Sequence, residues 1–480
     1  MTQTQNKGFM AQGWAWALVA AAVTACGGGS SDAELKPPPR PLLDERIEPF
    51  DPGAASMRPA QAPAVAALPA LAASAVVPTV ALTALAPLSD RSVQTPVPGM
   101  PLQVGVGRAL AKTASSAATQ ALLHWQPEAQ GAGQVAALAF VSEGALALRL
   151  GLQIEAMPPG TVLRFHGAAN EPPLVLPGEQ ALEQGAGAVY WSPEVTGSRL
   201  VLEVHIPAQA RPAAVRLAVP QLSHTTVLPG QERLAKAGES SSCEVNLMCQ
   251  PQYLEQSRSM ARMRYVARDG NAYQCTGTLL NDATSSGTPH LLTAHHCISD
   301  SATAATLTTD WFYRASACTG NHDGDTSVRL RRGATLLYTD AGTDVTLLRL
   351  NEPVPAGVVF AGSYFGANAV PGQSVATLHH PWGDWLKISR GAVTGYHNCS
   401  SNFCSIADSD SAGFSSVRWQ QGVIEPGSSG AGVFMDMGAR RYLVGQLFGG
   451  TSSCANPGGT DYFGRYSVSY RSALHRWLNP

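Results

Sequence analysis

The amino-acid sequence predicts an all-β protein, and three observations support this fold class. Apolar residues alternate with polar or small residues over long stretches, which is the pattern of strands with one buried face. The clearest run places five apolar residues on one sheet face: Leu146, Leu148, Leu150, Leu152 and Ile154. The runs are short and are separated by turns drawn from the 47 glycines and 34 prolines of the 480-residue chain. Charged residues make up only 14% of the sequence, so neither a helical bundle nor a wholly disordered chain is expected.

The amino-terminal segment predicts export. The apolar run Trp14–Ala25 is too short to span a bilayer but fits the core of a signal peptide. It ends in Val-Thr-Ala-Cys, which resembles the bacterial lipobox, whose cysteine is lipidated and becomes the first mature residue. We therefore expect residues 1–25 to be a lipoprotein signal peptide and Cys26 to carry the lipid, with an ordinary secretory signal as the alternative. The mature protein is expected as an outer-membrane or cell-surface lipoprotein, or secreted after processing.

Two segments of different composition follow. Residues 26–100 are rich in Gly and Ser and then in Ala and Pro, which cannot bury a core, so a disordered linker is expected. Residues 101–237 return to a period of two and predict a small antiparallel β-sandwich without cysteines. This segment contains no group of residues that looks catalytic. His166 and His205 lie on its strand faces and are expected to be structural or solvent-facing.

The third segment, residues 238–480, contains the eight cysteines that remain after Cys26. Eight clustered cysteines suit four disulfides in an oxidising compartment, and none of them forms a Cys-x-x-Cys pair of the zinc-binding kind. Short strands between frequent turns predict an all-β domain, including Val328–Leu337 and Val345–Leu350, with a terminal helix at Ser469–Leu478. The net charge of −2 and the absence of a Lys/Arg run give no reason to expect nucleic acid. Neither a cofactor nor a metal is expected.

Three motifs in this segment point to nucleophilic catalysis. A serine between glycines, Ser429, lies in a tight turn that can expose its hydroxyl and aim backbone N–H groups at a substrate carbonyl. Upstream, His296 ends the run Thr-Ala-His-His before a cysteine, and Asp344 begins Asp-Val-Thr-Leu-Leu. The order His, Asp, Ser and the motifs themselves resemble the chymotrypsin-like serine proteases. The resemblance implies a double β-barrel protease domain with a C-terminal helix over residues 238–480.

The chemistry of these side chains fits that resemblance. A serine hydroxyl attacks an amide only when a base removes its proton, and His296 is the expected base for Ser429. Asp344 would hold the tautomer of the imidazole and stabilise the imidazolium. The backbone N–H groups of Gly427 and Ser429 would form the oxyanion hole. His295 is the alternative base. Only His296, however, directly precedes a cysteine, and a disulfide at that cysteine would fix the position of His296.

Within that superfamily the sequence is most similar to the bacterial lysyl endopeptidases. The shared motifs include Thr-Ala-His-His-Cys, Asp-x-Thr-Leu-Leu, His-His-Pro, Glu-Pro-Gly-Ser-Ser-Gly, Gly-Gln-Leu and Ser-Ser-Cys, all in the same order. The resemblance covers residues 238–480, about half of the chain. The family's pattern implies three disulfides and leaves two cysteines for a fourth: Cys243–Cys454, Cys249–Cys318, Cys275–Cys297 and Cys399–Cys404.

The same resemblance indicates the residue that selects the substrate. Trypsin-type enzymes place an aspartate six residues before the nucleophile, where this chain has Val423. Lysyl endopeptidases use an aspartate downstream of the last cysteine, and Asp461 occupies that place. A buried carboxylate there is costly unless it is paired, and a substrate ammonium is a natural partner, so cleavage after Lys is predicted. Phe448 stands where the family has a His near the catalytic site, so an Arg or relaxed preference is the alternative.

The resemblance also makes residues 101–237 a pro-region, either a folding aid or an inhibitor. Lys236 lies two residues before Gly238, close to where the family's mature enzyme begins, so self-cleavage there would release the catalytic domain from the lipid anchor. Position 428 is Ser where chymotrypsin-type zymogens have an Asp that pairs with the new amino terminus, so activation by that salt bridge is not expected. The expected partners are protein or peptide substrates and, through Cys26, a membrane; the protein is expected to be a monomer. The alternative functions are a catalytically silent, lipid-anchored surface binding protein and an adhesin that uses the sandwich.

Overall fold

The computed structural model describes residues 45–53, 77–85, 100–128, 133–167, 172–185, 189–226, 240–319, 327–367, 369–400 and 403–480. The predicted lipidation site Cys26 and the predicted processing site at Lys236 and Gly238 lie outside these ranges. All the described residues belong to one compact unit, Asp44–Pro480. Within them, no helix has both the length and the apolar character that a membrane span requires. The described chain is mostly β, which confirms the predicted fold class.

The first half of the chain contributes twelve described strands and two helices. The strands are β1 (Arg46–Ile47), β2 (Thr79–Leu82), β3 (Leu102–Ala109), β4 (Gln126–Pro127), β5 (Gln134–Ser142), β6 (Ala147–Ala156), β7 (Val162–His166), β8 (Leu174–Pro177), β9 (Tyr190–Trp191), β10 (Val195–Thr196), β11 (Arg199–Ile206) and β12 (Arg216–Thr225). The helices are α1 (Ser116–Leu122) and α2 (Gly178–Gln184).

The second half contributes sixteen described strands and four helices. The strands are β13 (Val245–Asn246), β14 (Met260–Val266), β15 (Ala272–Leu280), β16 (His290–Ala294), β17 (Thr308–Trp311), β18 (Val328–Leu330), β19 (Ala334–Asp340), β20 (Val345–Leu350), β21 (Ser363–Tyr364), β22 (Ser374–His379), β23 (Lys387–Ser400), β24 (Phe403–Ile406), β25 (Phe414–Gln421), β26 (Gly432–Met437), β27 (Arg440–Gly450) and β28 (Asp461–Arg465). The helices are α3 (Leu254–Ser257), α4 (Ser301–Ala305), α5 (Tyr466–Ser469) and α6 (His475–Leu478), the last two joined by a π-helical turn, Tyr470–Leu474.

The amino-terminal sheets pack around an apolar core. One sheet has the order β2-β5-β11-β7-β8, and the facing strands have the order β10-β6-β12-β3. The leucines that the sequence places on one face are central to this core, since Leu148, Leu150 and Leu152 are completely buried. His166 and His205 both lie against the carboxylate of Glu203, at 3.0 and 3.2 Å, which is a structural rather than a catalytic setting.

The amino-terminal and carboxyl-terminal halves share a sheet. Strand β3 pairs antiparallel with β12 on one side and with β15 on the other, so one 12-stranded sheet continues from the predicted sandwich into the cysteine-bearing half. A second, 10-stranded sheet has the order β1-β21-β27-β26-β22-β23-β25-β28, and an additional β27–β28 pairing closes part of it. His296 follows β16 and Asp344 precedes β20 in the 12-stranded sheet, while Ser429 precedes β26 in the 10-stranded sheet.

Two short pieces of the predicted linker form strands, and for these pieces the expectation of a segment without core contacts is wrong. Ile47 in β1 is 4% exposed and packs in the core of the carboxyl-terminal half. Val80 in β2 is 3% exposed, and β2 pairs parallel with β5. Composition averaged over residues 26–100 obscured these runs because each is only two to four residues long.

Two other predicted elements have different bounds in the structure. Val328–Leu337 is not one strand, because Gly333 turns the chain between β18 and β19 with a φ of +74°. A Cβ at Gly333 would lie 2.1 Å from the carbonyl oxygen of Ala305, so the close approach requires glycine. The terminal helix is present but begins at Tyr466, three residues earlier than predicted.

The disulfide pairing implied by the resemblance is confirmed. The sulfur atoms of all four pairs lie at bonding distance: Cys243–Cys454, Cys249–Cys318, Cys275–Cys297 and Cys399–Cys404. The Cys243–Cys454 disulfide has the largest sequence separation, 211, and ties the start of the cysteine-bearing half to the segment just before β28. Such cross-links restrict the unfolded chain and contribute on the order of 2–4 kcal/mol each.

Candidate active site

The ends of two paired strands bring His296 and Asp344 together. Strand β16 ends at Ala294 and β20 begins at Val345, and these two residues are register partners in the antiparallel pairing. The imidazole of His296 therefore meets the carboxylate of Asp344, with 2.8 Å between Nδ1 and Oδ2. The backbone N–H of His296 also donates to Oδ1, at 3.0 Å. With Nδ1 facing the carboxylate, Nε2 points away from it, and within the described residues Nε2 has no hydrogen-bond partner.

The backbone of Asp344 is strained. Its φ is +51°, a left-handed conformation that costs about 1–3 kcal/mol for a residue other than glycine. The carbonyl of Asp344 accepts a hydrogen bond from Nε2 of Gln446 at 3.2 Å and another from the backbone N–H of His295 at 3.0 Å. These contacts hold the strained turn so that both carboxylate oxygens face His296.

The structure distinguishes the two adjacent histidines. His295 turns its Nδ1 to the hydroxyl of Thr339, at 2.7 Å, while His296 faces Asp344. The Cys275–Cys297 disulfide ties the residue after His296 to β15. The choice of His296 over His295 as the candidate base therefore agrees with this geometry.

The predicted nucleophile lies in a turn that needs glycine on both sides. Gly427 and Gly430 have φ values of +92° and +79°. A Cβ on Gly430 would lie 2.2 Å from Oγ1 of Thr293, so the turn can approach β16 only with glycine there. The carbonyl of Ser429 accepts a hydrogen bond from the backbone N–H of Thr276 in β15, at 2.8 Å. The turn is thus packed against β15 and β16, and the disulfide next to His296 is anchored in β15.

A buried, neutral histidine, His379, fixes the side chain of Ser428, the residue before the predicted nucleophile. The hydroxyl of Ser389 uses its single proton to donate to the carbonyl of Val423, at 2.6 Å. Its oxygen must therefore be the acceptor in the 3.1 Å contact with His379, so Nε2–H of His379 is the donor. Nδ1 of His379 is then an acceptor, and the hydroxyl of Ser428 donates to it at 2.8 Å. Burial, with smaller contributions from His380 and Lys387, lowers the pKa of His379 to about 3, which keeps the ring neutral.

Asp461 is completely buried at the start of β28. Its carboxylate accepts hydrogen bonds from the backbone N–H of Ser452 at 3.1 Å, from the hydroxyl of Ser452 at 2.5 Å and from Nε1–H of Trp419 at 2.5 Å. Burial raises the pKa of Asp461 to about 6, although these hydrogen bonds lower it. No Lys or Arg within the described ranges forms an ion pair with this carboxylate. Gly450 makes room for it, since a Cβ there would lie 2.2 Å from Oδ1.

The ring of Phe448 lies beside the candidate base His296. Its ring centroid is 6.1 Å from that of His296, edge to face, and 5.3 Å from that of Phe414. The phenyl ring therefore forms an apolar wall beside the candidate base, on the strand that leads to Gly450.

Several residues of the site carried no usable signal in the sequence. Trp419 lies 42 positions before the carboxylate that it contacts, and nothing in its surroundings marks it. Ser452 belongs to the Ser-Ser-Cys motif, which could have drawn attention to it. His379 belongs to the His-His-Pro motif, but its hydrogen bond to Ser428 depends on contacts between separate strands that the motif does not reveal.

Both halves of the chain match models of one protein family. Residues 237–464 match the model described as lysyl endopeptidase, C-terminal domain, and residues 76–226 match the lysyl endopeptidase N-terminal domain. The chain is also 34% identical over 407 residues to a lysyl endopeptidase of Pseudomonas aeruginosa, an alignment that covers 80% of this chain and 83% of that relative. The chain belongs to the lysyl endopeptidase family. The resemblance noted in the sequence is thereby confirmed, and this member is a serine endopeptidase.

Two solved protease structures align with about half of this chain. The active form of the Rv3671c protease from M. tuberculosis aligns with 48% of this chain and 86% of its own, at 16% identity and a TM-score of 0.33. The HtrA-type protease AlgW with a tripeptide aligns with 47% of this chain and 62% of its own, at 14% identity and a TM-score of 0.32. Both TM-scores are low, and the family assignment rests on the sequence relatives alone.

Proposed function

We propose that this lysyl endopeptidase family member hydrolyses peptide bonds after lysine, through a triad of Ser429, His296 and Asp344. The observation that carries the proposal is the 2.8 Å contact between Nδ1 of His296 and Asp344 beside the glycine-flanked turn of Ser429. The four disulfides and the lysyl endopeptidase relative fit an exported protein. A lipid at Cys26, which would keep the protein at a membrane, and a monomeric state are further parts of the proposal.

The catalytic cycle uses the proton-transfer chemistry of His296. Nε2 takes the hydroxyl proton of Ser429 as the oxygen attacks the substrate carbonyl, and Asp344 stabilises the imidazolium that forms. The imidazolium then gives this proton to the leaving amine, which leaves an acyl group on Ser429. A water molecule, deprotonated by the same imidazole, attacks the acyl group and releases the acid. The N–H groups of Gly427 and Ser429 stabilise the negative oxygen in both halves, at about 3–4 kcal/mol per donor.

The preference for lysine follows from the charge of Asp461. Its carboxylate is completely buried, and its hydrogen-bond partners, Trp419 and Ser452, are neutral. An ionised carboxylate in such surroundings gains from an ammonium that arrives with the substrate, since charge-assisted contacts are stronger than neutral ones. An arginyl side chain carries the same charge on a bulkier, planar group. The preference for Lys over Arg therefore depends on which side chain fits the space beside Gly450 and Phe448.

The proposal is tested with matched peptides that differ only in the residue before the bond to be cut. The expected order of kcat/KM is Lys well above Arg, and Arg well above norleucine, which has the length of lysine without its charge. Cleavage sites are read from the masses of the products. Equal rates for the lysyl and norleucyl peptides would contradict the role of Asp461, whereas equal rates for Lys and Arg would support the relaxed alternative.

Cleavage after lysine is also expected to depend on pH through Asp461. Burial raises its pKa to about 6, so the carboxylate is ionised above that value and neutral below it. The lysyl-to-norleucyl ratio of kcat/KM is therefore expected to fall about tenfold per pH unit below about pH 6. The ratio is used because the titration of the base affects both peptides alike. A ratio that stays constant between pH 7 and pH 4.5 would exclude this carboxylate as the ammonium partner.

A further inference from the structure

A backbone carbonyl from the amino-terminal half accepts a hydrogen bond from one donor of the proposed oxyanion hole. The N–H of Gly427, two residues before Ser429, donates a hydrogen bond to the carbonyl oxygen of Met100 at 3.1 Å. This N–H is one of the two donors that the proposed function assigns to the substrate carbonyl. Met100 is the last residue of the predicted linker and lies just before β3, so the contact joins the boundary between linker and predicted pro-region to the catalytic turn.

The residues after Met100 continue through the site as an extended strand. Leu102 and Gln103 pair antiparallel with Gln274 and Tyr273 of β15. Strand β15 continues to Thr276, whose backbone N–H donates to the carbonyl of Ser429 at 2.8 Å. Main-chain hydrogen bonds thus hold the segment against the turn of Ser429 and against the edge of β15. Proteins that bind peptides by strand addition use the same kind of contact.

We infer that residues 100–105, here called the blocking segment, occupy the active site in the way that a peptide substrate does. By occupying it they inhibit the uncut chain. The Met100–Pro101 bond takes the position of the bond to be cut. The inference rests on the proposed function, because it takes Gly427 as an oxyanion donor and Ser429 as the nucleophile. The occupant of the site is then the blocking segment of the same chain, and the bond that escapes cleavage is Met100–Pro101.

Two features of the blocking segment protect its own bond. Met100 has no ammonium to pair with Asp461, and the residue is 41% exposed rather than enclosed. The nitrogen of Pro101 carries a ring carbon where other residues carry hydrogen. This carbon fills the space through which the imidazolium of His296 would approach the leaving nitrogen. The segment therefore binds as a substrate does but is a poor substrate.

The blocking segment is held in place by the rest of the amino-terminal half. Strand β3 is also paired with β12, which fixes the segment to the sandwich. Across the same sheet, the guanidinium of Arg264 binds both carboxylate oxygens of Glu194, each at 3.0 Å, with both side chains buried. Covalent attachment adds a high effective concentration to these contacts.

The catalytic turn does not need to be reordered for activity. The hydroxyl of Ser428 is already held by neutral His379, in place of an ion pair with a new amino terminus. Strained Asp344 already faces His296. Since these parts of the site are assembled in the uncut chain, occupation by the blocking segment is sufficient to account for inhibition.

The test converts the blocking segment into a good substrate. Lys236→Gln is made in every chain so that processing there does not compete, and three variants are added to it: Met100→Lys, Pro101→Ala and the two together. Hydrolysis of the 100–101 bond consumes one water and leaves a carboxylate on residue 100 and an amine on residue 101. Intact mass and the sequence of the new amino terminus report this cut. The same double variant with Ser429→Ala serves as the control and is expected to remain whole.

Only the double variant is expected to cut itself between residues 100 and 101, at a rate that does not depend on protein concentration. Its activity on an added lysyl peptide is expected to rise as the cut proceeds. If the double variant stays whole while the wild-type chain, processed normally, cleaves lysyl peptides, the inference is wrong and the proposed function stands. If Met100→Lys alone is cut as fast as the double variant, the role of Pro101 is wrong. If the wild-type chain cleaves no added peptide, the proposed function fails and the inference falls with it.

Discussion

Ser429→Ala and His296→Ala are each expected to lower kcat for a lysyl peptide by about 10⁶-fold, and the double variant is expected to be no worse than either single one. The two side chains act as a unit, because the hydroxyl is reactive only when the imidazole accepts its proton. Removing either one removes the whole step. The measurement is kcat on a lysyl peptide for the two single variants and the double variant, with folding checked by thermal unfolding.

The adjacent histidine provides the matched control. His295 contacts the hydroxyl of Thr339 at 2.7 Å and does not form the contact that His296 makes with Asp344. His295→Ala is therefore expected to keep kcat within a few-fold of the wild type. Loss of activity in His295→Ala together with survival of activity in His296→Ala would reverse the assignment of the base.

Asp461→Asn is expected to lower kcat/KM for the lysyl peptide by about 10²–10³-fold while leaving that of the norleucyl peptide within a few-fold. The variant keeps the size of the side chain but removes the charge that pairs with the substrate ammonium. Truncating one partner of a buried charged pair costs about 2–5 kcal/mol, which corresponds to a loss of about 30- to 4,000-fold and includes the expected range. The amide also presents a donor toward Trp419 and Ser452, so the free energy of unfolding is measured in parallel.

A surface carboxylate on the same sheet controls for charge removal in general. Asp436 in β26 is half-exposed and pairs with Arg441 at 2.8 Å. Asp436→Asn is expected to leave both peptides unaffected. A similar loss for the lysyl and norleucyl peptides in Asp461→Asn would show that this residue supports the fold or the turn and does not select lysine.

The parts of the site that could be predicted from the sequence are those that local motifs encode. His296 was preferred over His295 because a cysteine follows it directly, and the Cys275–Cys297 disulfide bears out the family pairing. The glycines around Ser429 were expected to allow an unusual turn, and two of them have positive φ values. In each case the chemistry depends on residues within a few positions of one another, so the sequence alone shows the pattern.

The parts that could not be predicted depend on contacts between distant segments. The pairing of β3 with β15 joins residues about 170 positions apart, and no turn or spacing signals it. The partners of Asp461 are similarly scattered, with Trp419 on β25 and Ser452 after β27. The strand at Ile47 was missed because a short run in a Pro-rich region becomes a strand only when a sheet edge is available to pair with it.

The most direct test of the account is to locate the reactive serine. The protein that cleaves the lysyl peptide is treated with a serine-directed fluorophosphonate, and its intact mass and peptide map are recorded alongside residual activity. We expect one adduct, on Ser429, formed in step with the loss of activity and strongly slowed in His296→Ala. An adduct on another serine, or full inactivation with Ser429 unmodified, would contradict it.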